Sequence, residues 1–457
     1  MTPELVIPPG FQCGVATSAW QIEGDSAGRG PSIWDDFAAK PGTIIDATTA
    51  DPACDHIAHL DDDLDWLTWL GIDAYRFSIS WPRVQPTGQG AFSPHGIDFY
   101  NRLIDGLIKR GIEPVATLYH WDLPSALGDQ GGWLERDTCE RFADYSQRMA
   151  EEFGDRVGRW ATLNEPWVSA YLGYAAGIHA PGITDPNSAM TAAFHLMLAH
   201  GLAMPRLRAA QARNCGIVLN LIPTLPEDEQ PETMAASAHI DRLHNQFFLD
   251  LLAGRGVSDG LRKSLAQFTD FAFVGDDDLS TIAAPIDWIG ENYYTVNRVR
   301  GLPASTPLSQ VETQVLSAYP GCPPAQFKPR EPRSDMGWEV VPAGLTSILH
   351  TMATALPGTP IWITENGAAM GDVHDGPHVH DPLRMDYLRS HIEAALQARD
   401  EGVDVRGYFA WSLLDNIEWA EGMTKRFGIF AVDPVTQQRT PKDSAHWYRD
   451  LLAARQA

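Results

Sequence analysis

Short apolar runs alternate with helical segments eight times along the chain, and this alternation constrains the fold more than any other feature. Residues 14–18, 72–80, 112–119, 162–165, 217–220, 286–290, 361–364 and 405–411 are runs of strand formers bounded by turn residues. Between them, 55–70, 99–110, 140–153, 192–212, 241–252, 345–356 and 383–398 read as helices, and 444–454 closes the chain. Strands separated by helices pair in parallel, and eight such units close into a barrel. The predicted fold is α/β, a single (β/α)8 TIM barrel over residues 1–457, with long loops after the strands forming a pocket. No break in composition marks a second domain. Residues 300–332 are proline-rich and without periodicity, which suggests a functional loop or lid.

Two of the runs end in a carboxylate. Ile361-Trp362-Ile363-Thr364 leads into Glu365 and an Asn-Gly turn, and Trp160-Ala161-Thr162-Leu163-Asn164 leads into Glu165 and Pro166. A charge at the end of a buried strand is costly unless it is paired or functional. One such glutamate reads as a strand-end residue paired to a base. Two on one face of a barrel suggest acid/base and nucleophilic chemistry. Pro166 should keep Glu165 in an extended backbone. In 75–80, Tyr75, Phe77 and Ile79 alternate with Arg76, Ser78 and Ser80. If the apolar set faces the helices, Arg76 points into the barrel and needs a carboxylate partner.

The strand ends together supply Gln21, Arg76, His120, Asn164, Glu165, Asn292, Tyr294, Glu365 and Trp411, with Glu418 and Trp419 just beyond. Groups that hold several hydroxyls, together with flat aromatics, suit a sugar ring. There is no glycine-rich phosphate loop, no lysine at a strand end and no His/Cys cluster with metal spacing, so no cofactor or metal is predicted. His374, His378 and His380 read as a solvated loop, and His56 and His59 as packed or hydrogen-bonded. Trp66 and Trp69 read as core or interface aromatics. Trp34 and Trp133 fit either pocket rim or packing, and Trp121, next to His120, is assigned to the pocket.

The formal net charge of -25 argues against nucleic acid and anionic membrane as partners and fits a neutral small-molecule substrate. The first ten residues show neither a basic nor an apolar leader region, and no apolar run reaches the length of a membrane span. Five scattered cysteines without CxxC spacing read as buried free thiols in a reducing cytoplasm. A homo-oligomer is left open.

Seven blocks, in order, resemble the β-glucosidases of glycoside hydrolase family 1. They are SAWQIEG at 18–24, YRFSISW at 75–81, YHWDLP at 119–124, TLNEP at 162–166, NYY at 292–294, ITENG at 363–367 and WSLLDNIEW at 411–419. The resemblance implies a retaining mechanism with Glu365 as nucleophile and Glu165 as acid/base. It implies sugar contacts from Gln21, His120, Asn164, Glu418 and Trp419, support of the nucleophile by Arg76, Asn292 and Tyr294, and an aromatic on the leaving-group side at Trp338. Arg76 and Tyr294 should lower the pKa of Glu365, whose charge then keeps Glu165 protonated. The implied substrates are unphosphorylated β-glucosides, aryl, alkyl or cello-oligosaccharide, with side activity on galactosides or fucosides. An intact Glu418, as a carboxylate, should repel a sugar phosphate. A non-catalytic sugar-binding protein and a transglycosidase are the alternative readings. Residues 245–248, 254–260 and Met423 depart from the family pattern and put the leaving-group pocket in question.

Overall fold

The computed structural model describes residues 5–307, 311 and 316–455. Eight parallel strands close a barrel: β1 (Gln12–Ala16), β2 (Ala74–Ser78), β3 (Glu113–Tyr119), β4 (Arg159–Asn164), β5 (Cys215–Leu219), β6 (Trp288–Asn292), β7 (Ile361–Asn366) and β8 (Val405–Trp411). Each strand lies beside its sequence neighbours. β8 closes on β1, with Gln12 opposite Gly407 and Ala16 opposite Trp411. β6 runs later than its apolar residues alone suggest, so that Asn292 is its last residue.

Period two decides which side chains enter the barrel. Tyr75 and Phe77 of β2 join the large core between barrel and helices, while Arg76 points inward and is fully buried, as the alternation requires. A second, inner cluster combines Ala16, Ala74, Val115, Ala161 and Val218 with Trp288, Trp362, Phe409 and Trp411. Below it, at the N-terminal end of the strands, a polar floor fills the barrel. Gln12 Nε2 donates to Glu113 Oε2 (2.6 Å), and Gln12 Oε1 accepts from Arg159 (2.8 Å) and from the Trp362 indole (3.2 Å). The Arg159 guanidinium sits 3.9 Å from the Trp362 ring centroid.

Five helices begin on a proline, at Pro94, Pro186, Pro231, Pro342 and Pro382, several residues before the first periodic apolar position in some cases. Proline has no N–H to leave unpaired and its φ is already helical, so it extends these helices past their apolar faces. Ser93 and Asp185 cap two of them, accepting from Gly96 N and Ser188 N.

The stretch 300–332 is not simply a loop. Asn297–Gly301 pairs with Ala325–Phe327 and with Thr224–Pro226 in a three-stranded sheet, while residues 308–310 and 312–315 lie outside the described residues. Segment 373–380 is a hairpin rather than an irregular loop, and His380 Nδ1 lies 2.8 Å from Asp443. Trp66 and Trp69 pack on each other and on Phe430, and His56 pairs with buried Asp63 at 2.7 Å. Behind the hairpin, Lys442 bridges Asp372 and Asp415, each at 2.8 Å, and Arg384 binds Asp372 and Asp381.

Candidate active site

The two glutamates meet at the C-terminal mouth of the barrel. Arg76, from β2, donates to Glu365 Oε1 (2.5 Å) and to Asn164 Oδ1 (2.6 Å), with its Nε on Thr117 Oγ1 (3.2 Å). The Tyr294 hydroxyl donates to Glu365 Oε2 at 2.7 Å. Asn292 stands between the two carboxyls: its amide donates to Glu165 Oε1 (2.5 Å) and Asn164 Oδ1 (3.0 Å), and its oxygen accepts from the Thr364 hydroxyl (2.7 Å). After Glu365 the chain passes so close to β8 that a Cβ on Gly367 would lie 1.7 Å from the Trp411 carbonyl oxygen, so only glycine fits there.

The backbone of Glu165 corrects an expectation. Its φ is +48°, in the left-handed region, not the extended conformation expected before Pro166. Its N–H donates to Val218 O of β5 (3.0 Å) and its carbonyl accepts from Ser169 N (3.2 Å), which turns the chain at once from strand into helix. Trp121 (φ +78°) and Trp419 (φ +47°) share this conformation. Each such residue costs about 1–3 kcal/mol and persists only where its surroundings fix it.

The two carboxyls have unequal environments. Burial and the charge of Glu365 hold the Glu165 pKa well above the usual carboxylate range, with Asn292 and Arg76 pulling against them. Burial also raises Glu365, against the pull of Arg76 and Tyr294, so the net lowering expected from those two groups is not found. Desolvation outweighs them because the pair is almost wholly removed from water, with Glu165 5% and Glu365 3% exposed. The order survives: Glu365, with the arginine and the phenol, ionises first, and Glu165 keeps its proton.

His120 is neutral, because burial, and then Arg76, push its pKa well down. The Asn164 oxygen takes two donors, so its amide must donate to His120 Nε2 (3.1 Å). The imidazole proton is therefore on Nδ1, which has no partner among the described residues and is free to donate to a ligand. Gln21 is less free. Its amide donates to Asn416 Oδ1 (3.1 Å) and Ile417 O (2.7 Å), and its oxygen already accepts from Ser18. The Trp121 indole N–H is spent on Asn164 O (2.9 Å). Its ring lies 4.3 Å from that of Trp419, which also packs on Trp34 and stacks on Trp20. His120 stacks on Trp411 and Trp419 at 5.9 Å each, and Trp338 lies 5.6 Å from Tyr294. Trp133 packs against Tyr119, away from the carboxyls. Glu418 is half-buried, and burial, with the nearby charge of Glu365, pushes its pKa up to about 8.

The sequence-predicted residues are thus brought to one mouth. Reading the sequence had passed over Asn220, Asn416 and Ser18, which hold the contacting groups in place. Asn220 carried a signal, an amide directly after a barrel strand, as Asn164 and Asn292 are at the ends of theirs. Met423 lines a cavity of about 660 Å³ whose walls include Trp66, Arg426 and Asn416.

The whole chain is similar to known glycosidases. The family model of glycosyl hydrolase family 1 matches residues 4–457. A bifunctional β-D-glucosidase/β-D-fucosidase from Bifidobacterium breve is 44% identical over 463 residues, 98% of each chain. β-Glucosidase A of Thermotoga maritima is 42% identical over 452 residues, 97% of each chain. Among solved structures, the psychrophilic β-glucosidase of Micrococcus antarcticus superimposes with a TM-score of 0.94 at 42% identity, covering 99% of this chain and 98% of that one. The Thermotoga maritima enzyme in complex with deoxynojirimycin gives 0.90 at 41% identity, with 98% of each chain covered. With the barrel, the paired strand-end carboxyls and this full-length match together, the chain belongs to glycosyl hydrolase family 1.

Proposed function

We propose that the chain is a retaining β-glucosidase, one catalytic unit over its whole length, that releases terminal β-D-glucosyl residues from unphosphorylated glycosides. The observation that carries the reading is the pair Glu165 and Glu365, bridged by Asn292 and held in unequal environments. Two carboxyls about 5 Å apart suit direct attack by one of them on the anomeric carbon. Glu365 forms the bond to that carbon as the bond to the leaving oxygen breaks, and Glu165 gives its proton to the leaving oxygen. Esterification removes the charge of Glu365. Glu165, already without its proton, therefore stays a carboxylate; it takes a proton from water as the water oxygen attacks the anomeric carbon, and the ester bond breaks to return Glu365 as a carboxylate.

His120 Nδ1–H, Glu418 and the faces of Trp411 and Trp419 supply hydroxyl and C–H contacts. The names of the relatives support glucose as the sugar, and the bifunctional relative supports fucoside side activity. Glu418 is mostly neutral at neutral pH, so it does not repel a sugar phosphate by charge. What remains is that this position offers a hydrogen bond and no positive charge. The five cysteines are free thiols, which supports a reducing cytoplasm as the compartment.

The test is release of p-nitrophenol from the β-glucoside, β-galactoside and 6-phospho-β-glucoside by wild type, Glu365→Ala and Glu165→Ala. Wild type should prefer the glucoside and ignore the phosphate. Glu365→Ala should be inactive and, with azide, yield the α-glycosyl azide; Glu165→Ala with azide should yield the β-anomer. A folded wild type that turns over none of the three substrates would sink the assignment.

A further inference from the structure

A second layer lies behind Glu165, built from residues that the catalytic scheme does not use. The helical segment Pro231–Asp241 runs into a π-turn, Arg242–Gln246, before continuing as Phe247–Leu252. A π-turn widens a helix by one residue and often marks a functional position. This one places two consecutive side chains on the segment that follows β5. His244 Nε2 lies 2.9 Å from Asn220 O. Asn245 donates to Ile222 O (2.9 Å) and accepts from Ile222 N (2.9 Å). Between them, Leu221 N donates to buried Glu291 (3.1 Å). Three successive residues of backbone are clamped.

The clamp leads to the acid/base. Asn297 donates to the Tyr319 hydroxyl (3.1 Å), so that hydroxyl can donate onward to His244 Nδ1 (2.9 Å). His244 then carries its proton on Nε2 and donates to Asn220 O. Burial pushes its pKa down to about 3, so the ring stays neutral and its tautomer is fixed. Asn220 in turn donates to Asn292 O (2.8 Å), while the N–H of the same peptide unit, on Tyr293, donates to Glu365 O (3.0 Å). That peptide plane is pinned from both sides, and it carries the amide that donates to Glu165 Oε1. A second route is direct: the His244 ring is stacked on Trp167, two residues after Glu165, with centroids 3.9 Å apart.

We propose that His244 is a positioning residue for the acid/base Glu165, acting through Asn220 and Asn292 on its carboxyl and through Trp167 on its backbone. The proposal rests on the reading of Glu165 given above. Its role should appear only where proton donation limits the rate. Against a leaving group that departs unaided, a misplaced acid does not matter.

The experiment compares kcat/KM, which reports the glycosylation step, for p-methoxyphenyl and 2,4-dinitrophenyl β-glucosides in wild type, His244→Phe and Tyr319→Phe. Glu165→Ala serves as the reference for a missing acid. For His244→Phe, kcat/KM on the methoxyphenyl glucoside should fall about tenfold or more, and on the dinitrophenyl glucoside by less than about threefold. Tyr319→Phe removes a single oxygen and should show the same split, smaller; it keeps the proposal testable if His244→Phe does not fold. Equal losses on both substrates, or none on either, would overturn it. If Glu165→Ala itself shows no split, the role given to Glu165 fails instead, and the two failures are told apart.

Discussion

Replacing Tyr294 by phenylalanine removes one oxygen and tests how Glu365 is kept ionised. The phenol donates to Glu365 Oε2 at 2.7 Å, and its own pKa is well above the ordinary tyrosine value because of burial and the Glu365 charge, so it remains a donor throughout the working pH range. A phenylalanine ring keeps the packing against Trp338 (5.6 Å) and Phe427 (6.0 Å). The variant should therefore fold as wild type does. A hydrogen bond to a charged acceptor contributes about 1.5–3 kcal/mol, and 1.36 kcal/mol corresponds to one pH unit of ionisation. The bond favours the ionised form, so its loss makes Glu365 hold its proton to higher pH. The acid limb of kcat/KM on p-nitrophenyl β-glucoside should move up by about one pH unit or more. Arg76 stays in place at 2.5 Å and prevents a larger shift. The basic limb, which on the proposed mechanism follows loss of the Glu165 proton, should move less. The assay is a full pH–rate profile of both proteins, with matched thermal melts as a fold control. An acid limb that stays in place while activity falls uniformly would refute the electrostatic role of the phenol.

Three further outcomes follow from groups already described. Burial raises the Asp122 carboxyl to about 8, with only weak opposing pulls from the Ser80 hydroxyl and the Arg29 charge. From about pH 4 to 8 the folded state keeps a proton that the unfolded chain has released, so this group makes stability fall as pH rises. Asp122→Asn should raise the melting temperature relative to wild type more at pH 8 than at pH 5, and a constant difference would contradict this. Glu418→Gln should change glucoside kcat/KM little at pH 6, where the carboxyl is neutral, and should flatten any loss of activity centred near pH 8; a variant with an unchanged basic limb would remove Glu418 from that titration. Lys442→Met leaves Asp372 and Asp415 without their shared, fully buried ammonium. Removing one partner of a buried pair costs about 3–5 kcal/mol, so the melting temperature should fall by about 5 °C or more; a fall of under a degree would mean that Arg384 or water takes over.

Much of this architecture is legible in the sequence because two periodicities carry it. β8 falls on residues 405–411 in sequence and structure alike, since Tyr408-Phe409-Ala410-Trp411 is an apolar run that follows a charged turn, and Arg406 alone within the strand is exposed. Alternation alone aims Arg76 into the barrel, because a strand allows only two directions. Apolar spacing alone sets helix starts too late where a proline lies ahead of it, as at Pro186 and Pro231. Two properties of the glutamates lay beyond local reading. The left-handed turn at Glu165 is imposed by a carbonyl of the neighbouring strand, and the raised pKa of Glu365 comes from exclusion of water by the whole barrel. His244 is a further case, since nothing within its own helix indicates that it meets Trp167 and Asn220.

The polar floor beneath the inner aromatic cluster has a kinetic consequence. With Gln12, Arg159 and Trp362 filling the barrel below, the described residues leave its C-terminal mouth as the doorway to the proposed sugar seat, and the leaving group would lie on that side. Traffic is first in, last out. A polymer can offer only its end, not its middle, and the aglycone must clear the doorway before the sugar below it can leave. Water for the second step arrives through the space that the aglycone has just vacated, so whatever lingers there, a second sugar included, competes with water for the ester and with the next substrate for entry.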